Sequence, residues 1–99
     1  LTLNMGTYTT EFNWDTSTGA NNLFSFTTDT SSNGTGYLVD IVTGTSSTVK
    51  PFHVSAAGTE ALTVLANGNV GVGTTDPGGY KLNVQGSGYY SGALSLGTQ

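Results

Sequence analysis

Apolar residues in this chain come largely in doublets, two of them at i and i+2 with a polar residue or glycine between. Nine doublets run its length: Leu1/Leu3, Phe12/Trp14, Phe24/Phe26, Val39/Ile41, Phe52/Val54, Leu62/Val64, Val70/Val72, Leu82/Val84 and Leu94/Leu96. Successive starts lie about 12 residues apart, with Gly, Asn, Ser, Thr or Pro between them. Period two puts both members of a doublet on one face of an extended strand, and turn residues at such spacing mark an all-β chain. No window carries an apolar stripe at i, i+3, i+4, i+7 long enough for a helix, and the β-branched and aromatic residues of the doublets agree with strands. The pattern predicts short strands and many turns.

One junction can be read to the level of register. Asn67-Gly68 between two doublets suggests a two-residue hairpin loop. That loop would set Val64 opposite Gly71 and Thr63 opposite Val72, turning the two doublets to opposite faces. A three-residue loop, Ala66-Asn67-Gly68, instead pairs Val64 with Val70 and Leu62 with Val72. It places Gly68 where the backbone is left-handed and a Cβ would be penalised.

Composition narrows the chemistry. Gly, Thr, Ser and Asn account for 51 of the 99 residues, against 8 charged residues, one histidine and no cysteine. Leu, Ile, Val and Phe number 22, near the level at which chains become disordered, yet the formal charge is only −4 and disorder favours a larger one. The two lysines, Lys50 and Lys81, lie 31 positions apart and make no basic face, so nucleic acid is not an expected partner. No stretch approaches the roughly 18 consecutive apolar residues of a membrane span, and a start at Leu1 reads as a piece of something longer. Without cysteine there is neither a disulfide framework nor a thiolate zinc site, and the compartment stays open.

Gly71-Val72-Gly73-Thr74-Thr75-Asp76-Pro77 begins like a glycine-rich nucleotide loop. The fingerprint fails at its third glycine, where Asp76 stands, and no Gly-Lys-Ser/Thr or following helix is present to hold phosphate. No cofactor is expected. The glycines read instead as places of tight chain approach, and Asp76-Pro77 as the start of a turn.

The stretch Ala61-Leu62-Thr63-Val64-Leu65-Ala66-Asn67-Gly68-Asn69-Val70-Gly71-Val72-Gly73-Thr74-Thr75-Asp76-Pro77, with Lys81-Leu82-Asn83-Val84-Gln85-Gly86 beyond it, resembles a shaft repeat of bacteriophage tail fibres and related trimeric bacterial surface fibres. That repeat reads roughly NGNVGIGTxxPxxKLxVxG. Pro51-Phe52-His53-Val54 and Gly58-Thr59-Glu60-Ala61-Leu62 echo it upstream, whereas residues 1–40 lie outside the resemblance. Val72 stands where Ile is usual, and Gly78-Gly79-Tyr80 fills the variable stretch. The resemblance implies an elongated, intertwined homotrimer, wound as a triple β-helix or as stacked β-prism repeats, on a virion tail or an extracellular surface. Many such fibres end in a self-cleaving intramolecular chaperone, which nothing in these residues matches.

Physical reasoning leans the same way. So few large apolar side chains fall short of offsetting the entropy of ordering a chain of this length, which points to neighbours that pool their apolar faces. Three chains around an axis would do so and would cover sheet edges, leaving Thr, Ser and Asn to solvate the outside. The expected trimer core is Val39, Ile41, Phe52, Val54, Leu62, Val64, Val70, Val72, Leu82, Val84, Leu94 and Leu96, with turns at Gly68 and Pro77.

Catalysis finds little to work with. His53 is the sole imidazole, flanked by Phe52 and Val54, and faces outward if the doublet faces inward. Chelation by three copies would need it to point at the axis. Asp40 and the other carboxylates show no pairing in their spacing, and Asp15 alone is too little for calcium in the loop from Asp15 to Asn22. No enzyme or metal site is expected. Asn33-Gly34-Thr35 fits a glycosylation acceptor, without meaning in a phage or most bacteria.

The remaining candidates are aromatic. Tyr8, Tyr37, Tyr80, Tyr89 and Tyr90 fall outside the doublets, and Trp14 sits in the most aromatic stretch. Exposed aromatics stack on sugars and anchor protein contacts, although they also pack across chain interfaces. Tyr8, Trp14, Tyr37, Tyr89 and Tyr90 are the candidate receptor contacts. The expected organisation is an irregular β region over 1–35 and a repetitive shaft over 36–99. Its expected role is to extend a fibre that presents a host- or surface-binding tip. The alternatives are a glycan- or receptor-binding adhesive module and a monomeric β-sandwich.

Overall fold

The computed structural model describes residues 2–15 and 19–97. The chain divides into two compact units, Leu1–Val39 and Asp40–Gln99. Among the described residues there is no helix, and the four strands all lie in the second unit: β1 (Phe52–Ala56), β2 (Thr59–Val64), β3 (Val70–Val72) and β4 (Leu82–Val84). They form one sheet in chain order, antiparallel from β1 to β2 and from β2 to β3, then parallel from β3 to β4. The protein is all-β.

Ala57 and Gly58 make the first turn, with φ of 50° and 76°. Two positive φ values in a two-residue loop give the twist that joins antiparallel strands, although Ala57 holds this conformation at the steric cost of its Cβ. Ser55 then pairs with Glu60 but Val54 with Leu62, so Ala61 is an extra residue, a β-bulge. Without the bulge Val54 would face Ala61; with it, Phe52 lies opposite Val64 and Val54 opposite Leu62.

The second turn has the three-residue loop expected from the register. Val64 pairs with Val70 and Leu62 with Val72, and Gly68 has φ of 81°. Gly68 N donates to Leu65 O at 2.9 Å, Leu65 N to Asn69 O at 2.9 Å, and Asn67 Oδ1 accepts from Asn69 N at 3.0 Å.

Residues 73–81 then carry the chain from β3 to a parallel neighbour, a connection shorter than the dozen or more residues usual for this crossover. Local hydrogen bonds hold it in shape. Thr74 Oγ1 accepts from Asp76 N (3.0 Å), Asp76 Oδ1 accepts from Gly78 N (2.9 Å), and Gly73 and Gly78 have positive φ. The loop arches over one face of the sheet, where Asn83 Nδ2 donates to Pro77 O at 3.4 Å and Pro77 is fully buried. A Cβ on Gly71, which is buried beneath this arch, would collide with the Thr74 carbonyl oxygen.

The first unit is mostly irregular chain with turns at residues 6–7 and 30–31. Met5 O accepts from Tyr8 N at 2.9 Å, Asp29 O from Ser32 N at 3.1 Å, and Phe24 meets Phe12 edge-on with ring centroids 4.7 Å apart. The doublets Phe12/Trp14, Phe24/Phe26, Val39/Ile41 and Leu94/Leu96 were expected to be strands and are not; in the doublet Leu1/Leu3, Leu1 lies outside the described residues, as do residues 16–18 of the Asp15 loop. A doublet is extended chain with one apolar side, and it becomes a strand only where a second backbone supplies hydrogen bonds. Of the four doublets that pair, three are joined by tight turns at Ala57-Gly58 and Ala66-Asn67-Gly68, and the fourth, Leu82/Val84, is brought in by the hydrogen-bonded connection of residues 73–81.

Gly71 and Gly68 should therefore respond differently to alanine. At Gly68 the new Cβ would meet only the Lys81 ammonium, at 3.4 Å, so Gly68→Ala should cost about 1–2 kcal/mol for the left-handed backbone alone. Gly71→Ala should cost more, at least about 2–3 kcal/mol, because backbone must move. Urea midpoints of the two variants check the order.

Candidate functional site

The pairing register lays the doublets of the four strands side by side. Phe52, Val64, Val70 and Leu82 form one row across the sheet, and Val54, Leu62, Val72 and Val84 form the next. All eight side chains share one face, on strands about 4.8 Å apart. That face bears no charged or polar side chain at these positions. Phe52, Val54, Val72, Leu82 and Val84 keep between 37% and 57% of their surface exposed, with Leu62, Val64 and Val70 partly covered by their neighbours. Among the described residues no Leu, Ile, Val, Met, Phe, Tyr or Trp side chain is buried.

The opposite face was expected to be the solvated one, and part of it is the covered one. Its row runs His53, Thr63, Gly71, Asn83. Thr63 is 1% exposed and its Oγ1 has no hydrogen-bond partner. The reason is the arch of residues 73–81, which crosses this face and leaves the apolar one bare. His53 lies on this face, away from Phe52 and Val54, and its Nε2 is 2.5 Å from Glu60 Oε2. Both side chains remain substantially exposed.

The bulge at Ala61 makes this His53–Glu60 contact. Period two would put Glu60 beside Leu62 on the apolar face; the extra residue turns it to the side of His53. Sequence reasoning missed this pair. The signal was available: a two-residue turn at Ala57-Gly58 and face-to-face doublets are one residue out of step, and a bulge is the repair.

Of the twelve expected core positions, the sheet thus brings together eight. Val39, Ile41, Leu94 and Leu96 lie outside strands and are exposed. Gly68 is the left-handed turn residue and Pro77 the buried point of the arch. Tyr8, Tyr37, Tyr80, Tyr89, Tyr90 and Trp14 are all exposed. Tyr37, 85% exposed, borders a hollow of about 250 Å³ shared with Thr28, Ser32, Gly34, Gly36 and Leu38. Beside this hollow Asp29 Oδ1 accepts from Ser31 Oγ at 2.5 Å and from Ser31 N at 2.6 Å. Among the described residues no three His, Cys, Asp or Glu side chains group as metal ligands, and no helix is long and apolar enough to cross a membrane.

Compared with protein-family models, with curated proteins and with solved structures, the chain matches none.

The Ser31 hydroxyl, and then its backbone N–H, hold the Asp29 carboxyl below its ordinary value of 3.8. With the folded value depressed, the turn is stabilised above the unfolded pKa, and that contribution is lost as pH falls through the folded one. An NMR titration should place the Asp29 midpoint below 3.8, and Ser31→Ala should move it part of the way back.

Proposed function

We propose that this chain is a structural segment of a homotrimeric fibre shaft, intertwined as a triple β-helix or as stacked β-prism repeats. It extends and stiffens a fibre that presents a host- or surface-binding tip, on a virion tail or an extracellular surface, and it performs no catalysis. The observation that carries the reading is the bare apolar face with its two rows of four side chains. Each half-exposed side chain there has on the order of 1 kcal/mol to gain from full burial. A face without charge can meet a copy of itself without burying an ion, and the open edges of β1 and β4 offer unpaired backbone to neighbouring chains. Doublets left without a strand partner in their own chain fit a protein whose strands complete their pairing in an assembly. The shaft-like motif of residues 67–86 supports the same reading.

Light scattering over a dilution series tests it. The expected result is a concentration-independent mass of about 30 kDa, three times the 10.1 kDa chain. Val72→Asp, which puts a charge in the middle of the apolar face, should reduce this to the mass of one chain. A wild-type monomer with cooperative unfolding would overturn the proposal.

The exposed Tyr37 beside a hollow edged by Thr28 and Ser32 favours a second reading, recognition of a surface glycan by ring stacking and hydroxyl contacts. Binding on a glycan array that disappears with Tyr37→Ala, while circular dichroism is unchanged, is its expected signature.

A further inference from the structure

The chain contains two Asn-Gly dipeptides, Asn33-Gly34 and Asn67-Gly68. This is the pair most open to deamidation, because the glycine nitrogen meets no side chain on its own α-carbon as it approaches the asparagine carboxamide. The glycine nitrogen bonds to Cγ, the Cγ–Nδ2 bond breaks, and ammonia leaves with the proton the nitrogen gives up. Water then opens the resulting succinimide, at one carbonyl to aspartate and at the other to isoaspartate.

We propose that Asn67-Gly68 is a deamidation site gated by the hairpin, and that Asn33-Gly34 is an ungated one. In the β2–β3 loop both reacting groups are engaged. Gly68 N donates to Leu65 O at 2.9 Å, and the Asn67 carboxamide oxygen accepts from Asn69 N at 3.0 Å. The Lys81 ammonium, at the end of the connection before β4, donates to Asn67 backbone O at 3.5 Å and clasps the same peptide. Attack needs the nitrogen to leave Leu65 and the carboxamide to leave Asn69, so the turn must first open. At Asn33-Gly34, among the described residues, neither the carboxamide nor the glycine N–H has a hydrogen-bond partner, and the space around Gly34 is open.

The isoaspartate product also holds the gate open. Isoaspartate routes the main chain through the side-chain carbon and lengthens the loop by one methylene. A three-residue loop that sets Val64 on Val70 cannot absorb that length and keep its register. A hairpin that opens and reacts to isoaspartate therefore does not close again on the same pairing, whereas the aspartate product keeps the main chain and can.

The same chain supplies its own control. The protein is aged at mildly alkaline pH, once in native buffer and once in concentrated urea. Peptide mapping by mass spectrometry, with chromatographic separation of isoaspartate from aspartate, follows both sites. In native buffer Asn33 should convert about tenfold or more faster than Asn67, and in urea the two rates should come within about twofold of one another once structure is lost. Equal native rates, or faster reaction at Asn67, overturn the proposal. So does a native difference that persists unchanged in urea, since it then belongs to the flanking residues rather than to the turn.

Discussion

The left-handed backbone at Gly68 is the constraint on which the sheet depends. It makes the β2–β3 loop three residues long, and loop length decides which residues of β2 and β3 stand opposite one another. A one-residue slip would send Val70 and Val72 to the face of Thr63 and break both apolar rows at their centre. The bulge at Ala61 makes the matching correction on the other side of β2, carrying Phe52 and Val54 into the same two rows. Two local backbone devices, one on each side of a central strand, thus align side chains from four strands.

The faces then divide by what the chain itself can cover. The connection between β3 and β4 folds over the side of Gly71 because glycine leaves room for the Thr74 carbonyl, and Pro77 and Asn83 fasten it there. On the other side Phe52, Val54, Val72, Leu82 and Val84 stay more than a third exposed. The result inverts the usual arrangement of a small β domain, in which apolar side chains are enclosed and hydroxyl-bearing ones are wet. Here a threonine is enclosed and valines are bare.

Much of the sheet was legible in the sequence, for particular physical reasons. Val64 against Val70 followed from combining period two with the requirement that doublets share a face. The glycines of 68–73 read as steric permissions rather than as a phosphate site, and Gly71 beneath Thr74 fits that reading. What misled was treating every doublet as a strand. Phe12/Trp14 and Leu94/Leu96 have the alternation of Leu62/Val64 but no strand partner among the described residues, and alternation alone contains no information about partners. The His53–Glu60 contact was missed because a bulge leaves no characteristic residue of its own and shows only as the one-residue mismatch between the Ala57-Gly58 turn and doublets that share a face. The burial of Thr63 was hidden because it depends on where a distant loop lies.

The sheet has the same order in space as in sequence. Each strand lies next to the one made just before it, and no pairing waits for a distant segment, so contacts are local and assembly needs little chain closure. During synthesis, which releases the N-terminal part first, β2 can settle on β1 before β3 has left the ribosome, and β4 completes an edge already in place. A chain with a sticky face gains from this schedule: its backbone groups are already paired while other copies are still being made, which narrows the time in which nascent chains could tangle.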